Sequence, residues 1–500
     1  MSVDPLIEGP MWVASGLDES RGLYPLRVEG AIGSLVELLL PGVITTTTGA
    51  RYYGLHTLAW ADAERRELGD AGAEEFVRRC EVVMAAASWA HGQDGGHVRR
   101  VPEAHGEGNM PRYIDGGVLR VAAAAEPGAY SNGGFAGTYA ASERVIGLLR
   151  GGWPPRTGPR AELGPLTEGL GDVLELARED EVPLDALTSA THLCPCRASG
   201  SRDGKWLRQV MFERADPAIE GDRNRQVAAM MLLEALEGGP HRDPEGEFRL
   251  RHGYGPAIPG DDAEARARRG WRAAILRNSC VSAWRHIWSW LSEQLVGDQL
   301  SIDDLADRLA DAVPARRVSD LVDSLPQRKD ATGLLPVEEE LRWSDEPVPQ
   351  RSLRLLALGA QRLQDLDEDT RSAFLGRSRE DLGPLWVDSQ LREHADAALA
   401  DFARDLVTTL VRRAHRVAHS KMRLDRTTLK PYLPTRLRDR DGLLWVVGGE
   451  PDAEVSLRGW TLAQVLTALG AIDRPDGDYE VSPDGALLIE RIRASLGAAA

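Results

Sequence analysis

The sequence has few cysteines, no long apolar run and no recognisable leader, and each shortage excludes a class of protein. Four cysteines in 500 residues are too few for a secreted scaffold that is held together by disulfides. The longest apolar stretch, residues 32–44, is broken by Gly33, Glu37 and Pro41, and it falls short of the roughly 20 residues that span a bilayer. The first twelve residues lack the basic and apolar regions of a signal peptide. We therefore expect a cytoplasmic protein with no membrane partner.

The charge and the apolar content of the chain exclude further classes of protein. The chain carries 60 Lys and Arg against 77 Asp and Glu, a formal net charge of −17. That balance argues against a protein that coats DNA through its overall charge. Hydrophobic residues make up 42% of the chain, which is enough to build real cores. The length predicts more than one domain.

The fold prediction rests on helical periodicity, which dominates the sequence, whereas strand-like alternation occurs only in short pieces. Near the C-terminus a helix over residues 457–469 precedes a strand at Ile472, a turn at Asp476 and Gly477, and a returning strand at residues 479–481. A last helix follows Ser482. This order is typical of winged-helix domains. We predict a mainly α, multidomain helical protein with small winged-helix (α+β) modules, the clearest at the C-terminus.

Turn signals and composition divide the chain into four segments. Residues 1–115 form an N-terminal helical domain with a Pro-Gly-Thr-rich motif, and residues 116–169 form a winged-helix-like module. Residues 170–400 form a helical domain whose strongest element, residues 263–295, carries a tryptophan stripe that indicates a buried face. Residues 401–500 combine a basic helix with the C-terminal winged-helix-like domain. The Gly- and His-rich stretch 91–110 is expected to be a long surface loop.

A basic block interrupts the acidic chain. Residues 401–440 hold eleven Lys and Arg against four Asp, a net charge of +7. Such a block either contacts phosphate groups or forms a solvated helix face that pairs with acidic segments of the chain. The candidate nucleic-acid-binding residues are Arg412, Arg413, Arg416, Lys421, Arg423 and Arg426.

Metal-binding patterns are incomplete. Cys194-Pro-Cys196 with His192 supplies half of a soft metal site, but zinc needs four ligands and no second half is visible in the sequence. His415 and His419 lie one helical turn apart, yet the glutamate that a zincin motif places after the first histidine is absent. We therefore expect neither a metal site nor a cofactor.

Catalytic motifs are also missing. The stretch Gly200–Lys205 is one residue too short for a phosphate-binding loop, and Trp206 replaces the hydroxyl residue that would bind magnesium. No Gly-x-Ser-x-Gly nucleophile elbow occurs. Catalytic residues remain unassigned, and the sequence favours a binding protein over an enzyme.

A second motif, Leu39-Leu-Pro-Gly-Val-Ile-Thr-Thr-Thr-Thr-Gly-Ala-Arg-Tyr-Tyr53, forms a loop that leads into a helix. Arg51 beside a threonine-rich helix start either grips a phosphate or carboxylate group or pairs inside the protein and fixes the loop. The candidate residues of this motif loop are Thr45, Thr48, Arg51, Tyr52 and Tyr53.

This motif resembles one found in uncharacterised bacterial proteins, which carry Leu-Pro-Gly, Ile or Val, and Ser or Thr, followed by Arg-Tyr and Tyr or Phe. Residues 276–286, 193–196 and 421–426 are similar to later blocks of the same proteins. These proteins often belong to phage-defence or mobile-element gene clusters, and the resemblance implies no fixed activity. Gly49 stands where the family usually has arginine.

Three functions remain open. The first is a DNA-associated, non-catalytic component of a bacterial defence or mobile-element system that uses residues 412–426 and the terminal module. The second is a protein-interaction scaffold whose winged helices dock a partner encoded by a neighbouring gene. The third is a metal-dependent nuclease with dispersed ligands.

Overall fold

The computed structural model describes residues 25–93, 95–97, 103–127, 134–219, 221–326, 333–376, 382–424, 431–452 and 454–497. The chain is mainly helical, as the periodicity predicts. Its α-helices are α1 (Gly30–Leu39), α2 (Ala50–Arg65), α3 (Asp70–Gln93), α4 (Val121–Ala124), α5 (Ala136–Ile146), α6 (Leu163–Leu176), α7 (Leu184–Ser189), α8 (Arg202–Arg208), α9 (Asp222–Ala235), α10 (Pro244–Gly253), α11 (Ala263–Glu293), α12 (Ile302–Asp311), α13 (Val318–Asp323), α14 (Val337–Arg342), α15 (Val348–Asp365), α16 (Glu368–Leu375), α17 (Pro384–Glu393), α18 (Leu399–Ser420), α19 (Gly459–Ala468) and α20 (Pro483–Gly497).

The strands are short and pair antiparallel. They are β1 (Ile114–Asp115), β2 (Val118–Arg120), β3 (Leu149–Arg150), β4 (Arg156–Thr157), β5 (Glu181–Pro183), β6 (Leu300–Ser301), β7 (Arg423–Leu424), β8 (Pro431–Tyr432), β9 (Leu437–Arg440), β10 (Leu443–Val446), β11 (Ile472–Asp473) and β12 (Glu480–Val481). Two sheets have three strands, in the orders β1-β2-β5 and β6-β10-β9. The other pairs are β3 with β4, β7 with β8 and β11 with β12.

The chain folds into two compact units that are both discontinuous in sequence. The first unit comprises residues 1–35, 253–258 and 269–455. The second comprises residues 36–252, 259–268 and 456–500. Each unit therefore draws on more than one of the four segments defined from the sequence.

The core of the second unit forms around α2 and α3. Every residue of α2 from Ala50 to Ala63 is buried, so this helix lies inside the unit rather than on its surface. In α3 the run Ala85–Ala87 is buried, and such small side chains let neighbouring helices approach closely. The helix α2 packs against α3, α6 and α8.

A buried polar network joins α2, α3 and α5. The His56 ring contacts Glu143 Oε1 through Nδ1 at 2.7 Å and Glu81 Oε1 through Nε2 at 3.0 Å. Because both carboxylates are fully buried and accept from the ring, His56 carries a proton on each nitrogen. Burial opposes this charge, but Glu143 and Glu81 outweigh it and raise the pKa of His56 to about 9. Glu81 also accepts the backbone N–H of Ala136, so it caps the first turn of α5.

The first unit is built on long amphipathic helices. The predicted helix over residues 263–295 is confirmed as α11, and its stripe of Trp271, Trp284 and Trp288 is buried as expected for a core face. The Ser301 hydroxyl caps α12 by accepting the backbone N–H of Asp304, whose carboxylate bonds back to Ser301. This helix packs against α18, which is the basic helix expected in the segment 401–500.

The end of the chain has the predicted order of helix, hairpin and helix. The hairpin pairs Ile472 with Val481, and α20 follows it. Most of α19 is buried, including Leu462, Val465 and Leu466, so it is a core helix of the second unit. In the described part of the chain, we find no helix with both the length and the apolar character needed to cross a bilayer.

Candidate metal centre

Four metal-ligating side chains of the second unit converge on one point. Two come from the end of α3 and the loop after it, and two come from the turn that precedes α8. They are His91, His97, Cys194 and Cys196, and one ligand atom from each lies within 4.8 Å of the others. His97 is half-buried and the other three are buried. No other group of three or more such residues meets this closely within the described ranges.

Two of the interatomic distances match those of a tetrahedral zinc site. Cys194 Sγ lies 3.5 Å from His97 Nδ1, and Cys196 Sγ lies 3.4 Å from His91 Nδ1. Zinc with ordinary Zn–S and Zn–N bonds separates tetrahedral S and N ligands by about 3.5 Å and two sulfurs by about 3.8 Å. The two sulfurs are 3.2 Å apart and both cysteines are free thiols, so a small outward movement of one sulfur would complete the geometry.

Glycines make room for the two imidazoles. A Cβ atom added to Gly96 would lie 2.5 Å from His91 Nε2, and one added to Gly92 would lie 2.6 Å from His97 Nε2. Gly95 has a φ of +65°, a left-handed conformation that side chains rarely adopt. The sequence His-Gly-x-x-Gly-Gly-His therefore permits the loop to fold both rings toward the cysteines.

Glu107 and Ser88 support two of the ligands. Glu107 Oε1 lies 3.0 Å from His97 Nε2, and a carboxylate can only accept, so Nε2 carries the proton. The lone pair of Nδ1 then faces the sulfurs. Ser88 donates its hydroxyl to the other Glu107 oxygen and lies 3.3 Å from Cys194 Sγ. A carboxylate behind a metal-binding histidine is the usual support of such a ligand.

Arg51 supports the Cys194-Pro-Cys196 turn through hydrogen bonds to its backbone. This buried guanidinium makes a bidentate pair with Asp203 at 2.8 and 3.0 Å. It also donates to the backbone carbonyls of His192, Cys194 and Gly169. Of the two interpretations of Arg51, the structure shows the internal pairing, and it links the motif loop directly to the Cys-Pro-Cys turn.

The ionisation of the cluster reflects its burial. Contact with Cys196, followed by burial, raises the pKa of the Cys194 thiol well above its ordinary value. Burial opposes the charged form of His97, but hydrogen bonds to Cys196 and Glu107 outweigh it and raise the pKa of His97. Without a cation, Cys194 is thus held as a neutral thiol. A bound metal ion would favour its thiolate form instead.

A cysteine nucleophile is the main alternative use of these groups. Cys194, His97 and Glu107 lie in the order nucleophile, base and orienting carboxylate. However, Cys194 is only 1% exposed and its pKa is raised, whereas a reactive cysteine needs access and a lowered pKa. The second pair, Cys196 with His91, has no role in such a triad. A metal ion uses all four residues.

The remaining residues of the motif loop are mostly interior. Tyr52 and Tyr53 are fully buried, Thr48 is half-buried and Thr45 is exposed. The Tyr53 hydroxyl donates to the Gly42 carbonyl at 2.8 Å and so closes the turn. These contacts indicate that the loop stabilises the fold and leave Thr45 and Thr46 at the surface.

The basic block lies in the first unit and is divided between surface and interior. Arg412, Arg416 and Arg423 are exposed. Arg413 is buried and donates through Nε to the Leu26 carbonyl at 2.6 Å, so we leave it out of any phosphate-binding surface. Lys421 is half-buried, and burial lowers its pKa. Arg426 lies outside the described residues.

The histidines considered from the sequence are not brought together with the cysteines. His192 faces Asp172 at 3.4 Å, and only its backbone carbonyl supports the site. His415 faces Asp439 at 3.3 Å in the first unit. The actual neighbours of the cysteines, His91 and His97, lie in the stretch expected to be a surface loop. That expectation is corrected, because His91 belongs to α3 and is buried.

Comparison with protein-family models, curated proteins and solved structures finds no match for this chain. Its chemistry therefore has to be inferred from the geometry of the four ligands.

Proposed function

We propose that this chain is a zinc-binding protein in which one Zn²⁺ is held by His91, His97, Cys194 and Cys196. The carrying observation is that two His–Cys pairs, each 3.4–3.5 Å apart, converge from stretches about 100 residues apart in the sequence. This revises the sequence-based expectation that the chain has no metal ligands.

The choice of zinc and of a structural role follows from the ligands. Two thiolates with two imidazoles favour zinc over magnesium or calcium, which prefer oxygen ligands. Four protein ligands leave no position open for a substrate or water molecule. The metal would therefore join the end of α3 to the turn before α8, a role that accords with a binding protein rather than an enzyme.

Elemental analysis of the purified full-length chain tests this proposal. We expect about one zinc per chain, and a cobalt-substituted form should show thiolate-to-metal charge-transfer absorption. The double variant Cys194→Ser/Cys196→Ser should hold no zinc. The matched control Cys80→Ser/Cys280→Ser changes the two other buried free cysteines and should keep the metal. Metal-free wild-type protein, or zinc retained without Cys194 and Cys196, would refute the proposal.

A second candidate function, association with DNA, is favoured by two observations in the first unit. The exposed Arg412 and Arg416 lie one helical turn apart on α18, and Arg423 follows on β7. The sheet order β6-β10-β9 is also the strand order of a winged helix, and the helices α12 to α18 and the strand pair β7-β8 lie between β6 and β9 in the chain. The winged-helix proposal therefore moves to this unit, since α19 is too buried to enter a DNA groove.

Fluorescence anisotropy with duplex and single-stranded DNA over a salt series tests the second candidate. Phosphate contacts predict binding that weakens steeply with salt and is lost in Arg412→Glu/Arg416→Glu. The control Arg202→Glu/Arg392→Glu reverses two other exposed arginines and should bind as the wild type does. If the wild type does not bind at low salt, docking of a partner protein becomes the better role for this module. Membership of a defence or mobile-element system rests on the sequence resemblance.

A further inference from the structure

The two histidines of the metal centre are prepared for coordination in opposite ways. His97 donates its Nε2 proton to Glu107, which leaves Nδ1 ready to bind a metal. His91 Nε2 instead lies 3.1 Å from Nη2 of Arg197. A guanidinium has only donors, so Nε2 of His91 must accept from it.

The contact with Arg197 determines which nitrogen of His91 carries its single proton. A neutral imidazole that accepts at Nε2 holds its proton on Nδ1, and Nδ1 points at Cys196 Sγ at 3.4 Å. The nitrogen that must bind the metal is therefore occupied by hydrogen. For Nδ1 to coordinate, the proton has to lie on Nε2, where it would meet the donor nitrogen of Arg197.

We infer that Arg197 competes with the metal ion for His91, an inference that rests on the zinc proposal. The centre then has two states. In one, Cys194, Cys196 and His97 hold the metal while Arg197 binds His91. In the other, His91 completes the tetrahedron and Arg197 turns away into solvent.

The position of Arg197 suits this exchange. It lies on the short 3-10 segment Pro195–Gly200, beside its ligand neighbour Cys196, and it is exposed whereas His91 is 4% exposed. Loss of its contact with His91 therefore leaves no buried charge behind. When His91 coordinates the metal, Arg197 is released and presents its charge at the surface. When only three residues hold the metal, Arg197 stays in contact with His91.

Zinc affinity, measured by chelator competition on the full chain, tests this competition. Arg197→Met keeps the length of the side chain and removes its donors, so we expect it to bind zinc about 3–10-fold more tightly. Arg197→Lys keeps a donor and the charge and should bind as the wild type does. Arg202→Met removes a nearby exposed charge that contacts Glu168, and it should leave the affinity unchanged.

A double-mutant cycle separates this effect from general charge. His91→Asn should weaken zinc binding but keep one metal per chain, because three ligands remain. Adding Arg197→Met to His91→Asn should give no further gain, since Arg197 acts through His91. In the wild type, nitrogen NMR of the His91 ring should place the proton on Nδ1 without zinc and on Nε2 with it.

The outcomes distinguish the two proposals. Zinc bound by the wild type with unchanged or weaker binding by Arg197→Met would overturn the competition and leave the zinc centre intact. An equal gain in both backgrounds of the cycle would also overturn it, because the effect would then be one of charge. Absence of zinc from the wild type would refute the centre itself.

Discussion

The second unit contains two histidine clusters whose ring nitrogens have different partners. In the first cluster, His56 lies between Glu81 and Glu143 and makes hydrogen bonds of 2.7 and 3.0 Å. In the second, His91 and His97 face two thiols at 3.4 and 3.5 Å, and sulfur is a weak hydrogen-bond partner.

The difference shows how a histidine whose partners lie within the chain can be told from a cluster that needs a ligand. Both ring nitrogens of His56 have a carboxylate partner, and Glu81 has the further task of capping α5. Around Cys194 the strong hydrogen bonds are those of Glu107 and Arg51, which support the ligands from outside the cluster. The ligand atoms that face one another inside it, sulfur and imidazole nitrogen, make only weak hydrogen bonds. We infer that the first cluster is a structural network and the second is a metal site.

The largest expected effect comes from breaking the His56 network. His56→Leu would leave Glu81 and Glu143 facing each other without their shared cation, and breaking such a buried pair costs about 3–5 kcal/mol. Denaturant unfolding measures this loss. Glu143→Gln, a milder change at the same contact, should cost less and keep the zinc content. A loss below about 1 kcal/mol for His56→Leu would show that the network is not a main support of the unit.

The second prediction distinguishes the two clusters by the stabilisation that bound zinc provides. Zinc at about 100 times its dissociation constant should raise the free energy of unfolding by about 2.7 kcal/mol. Cys194→Ser/Cys196→Ser should lose this increment, whereas Glu143→Gln should retain it. Thermal and denaturant unfolding with and without chelator give the comparison. An increment that survives the loss of both thiols would place zinc elsewhere.

The third effect is pH dependence of the His56 network. Its pKa is about 9 in the folded chain and about 6.5 when unfolded, so the stabilisation is complete below pH 6.5 and is lost as the pH rises through 9. We expect the free energy of unfolding to fall by up to about 3 kcal/mol over that window, since one pKa unit corresponds to about 1.4 kcal/mol. The measurement is best made on Cys194→Ser/Cys196→Ser, where metal ligands do not contribute. A flat profile would mean that His56 is neutral.

The smallest effect tests the glycines of the metal loop. Gly96→Ala would push its Cβ against the His91 ring, and we expect zinc affinity to fall about tenfold, or about 1.4 kcal/mol. Gly69→Ala is the control because nothing lies within 4 Å of its added Cβ. Equal zinc affinity in both variants would show that the loop can shift without cost.

The sequence predicted the helical class and several individual elements correctly, because these depend on local signals. The periodicity of residues 263–295, for example, identifies α11. The C-terminal hairpin is also confirmed, whereas the role of α19 depends on burial that no local pattern reveals. The two discontinuous units follow from contacts between distant segments, which composition cannot indicate.

Half of the metal centre could be read from the sequence, and the other half could not. Cys194-Pro-Cys196 stands out in the sequence, but the histidine closest to it along the chain, His192, faces Asp172 and not the cysteines. The available signal was the spacing of His91 and His97 around three glycines. That signal becomes specific only when the fold brings it to the cysteines. Arg51 shows the same limit, since its internal pairing depends on Asp203, far along the chain.

The four ligands also make the centre a reversible crosslink in a protein whose cysteines are all free thiols. A metal that joins residues 91–97 to residues 194–196 closes a loop of about 100 residues, and closing so long a loop removes much of the conformational entropy of the unfolded chain. A disulfide would give a comparable constraint but would depend on the redox state of the compartment. Here the constraint requires reduced thiols together with a supply of free zinc, so metal starvation should loosen the second unit before the first.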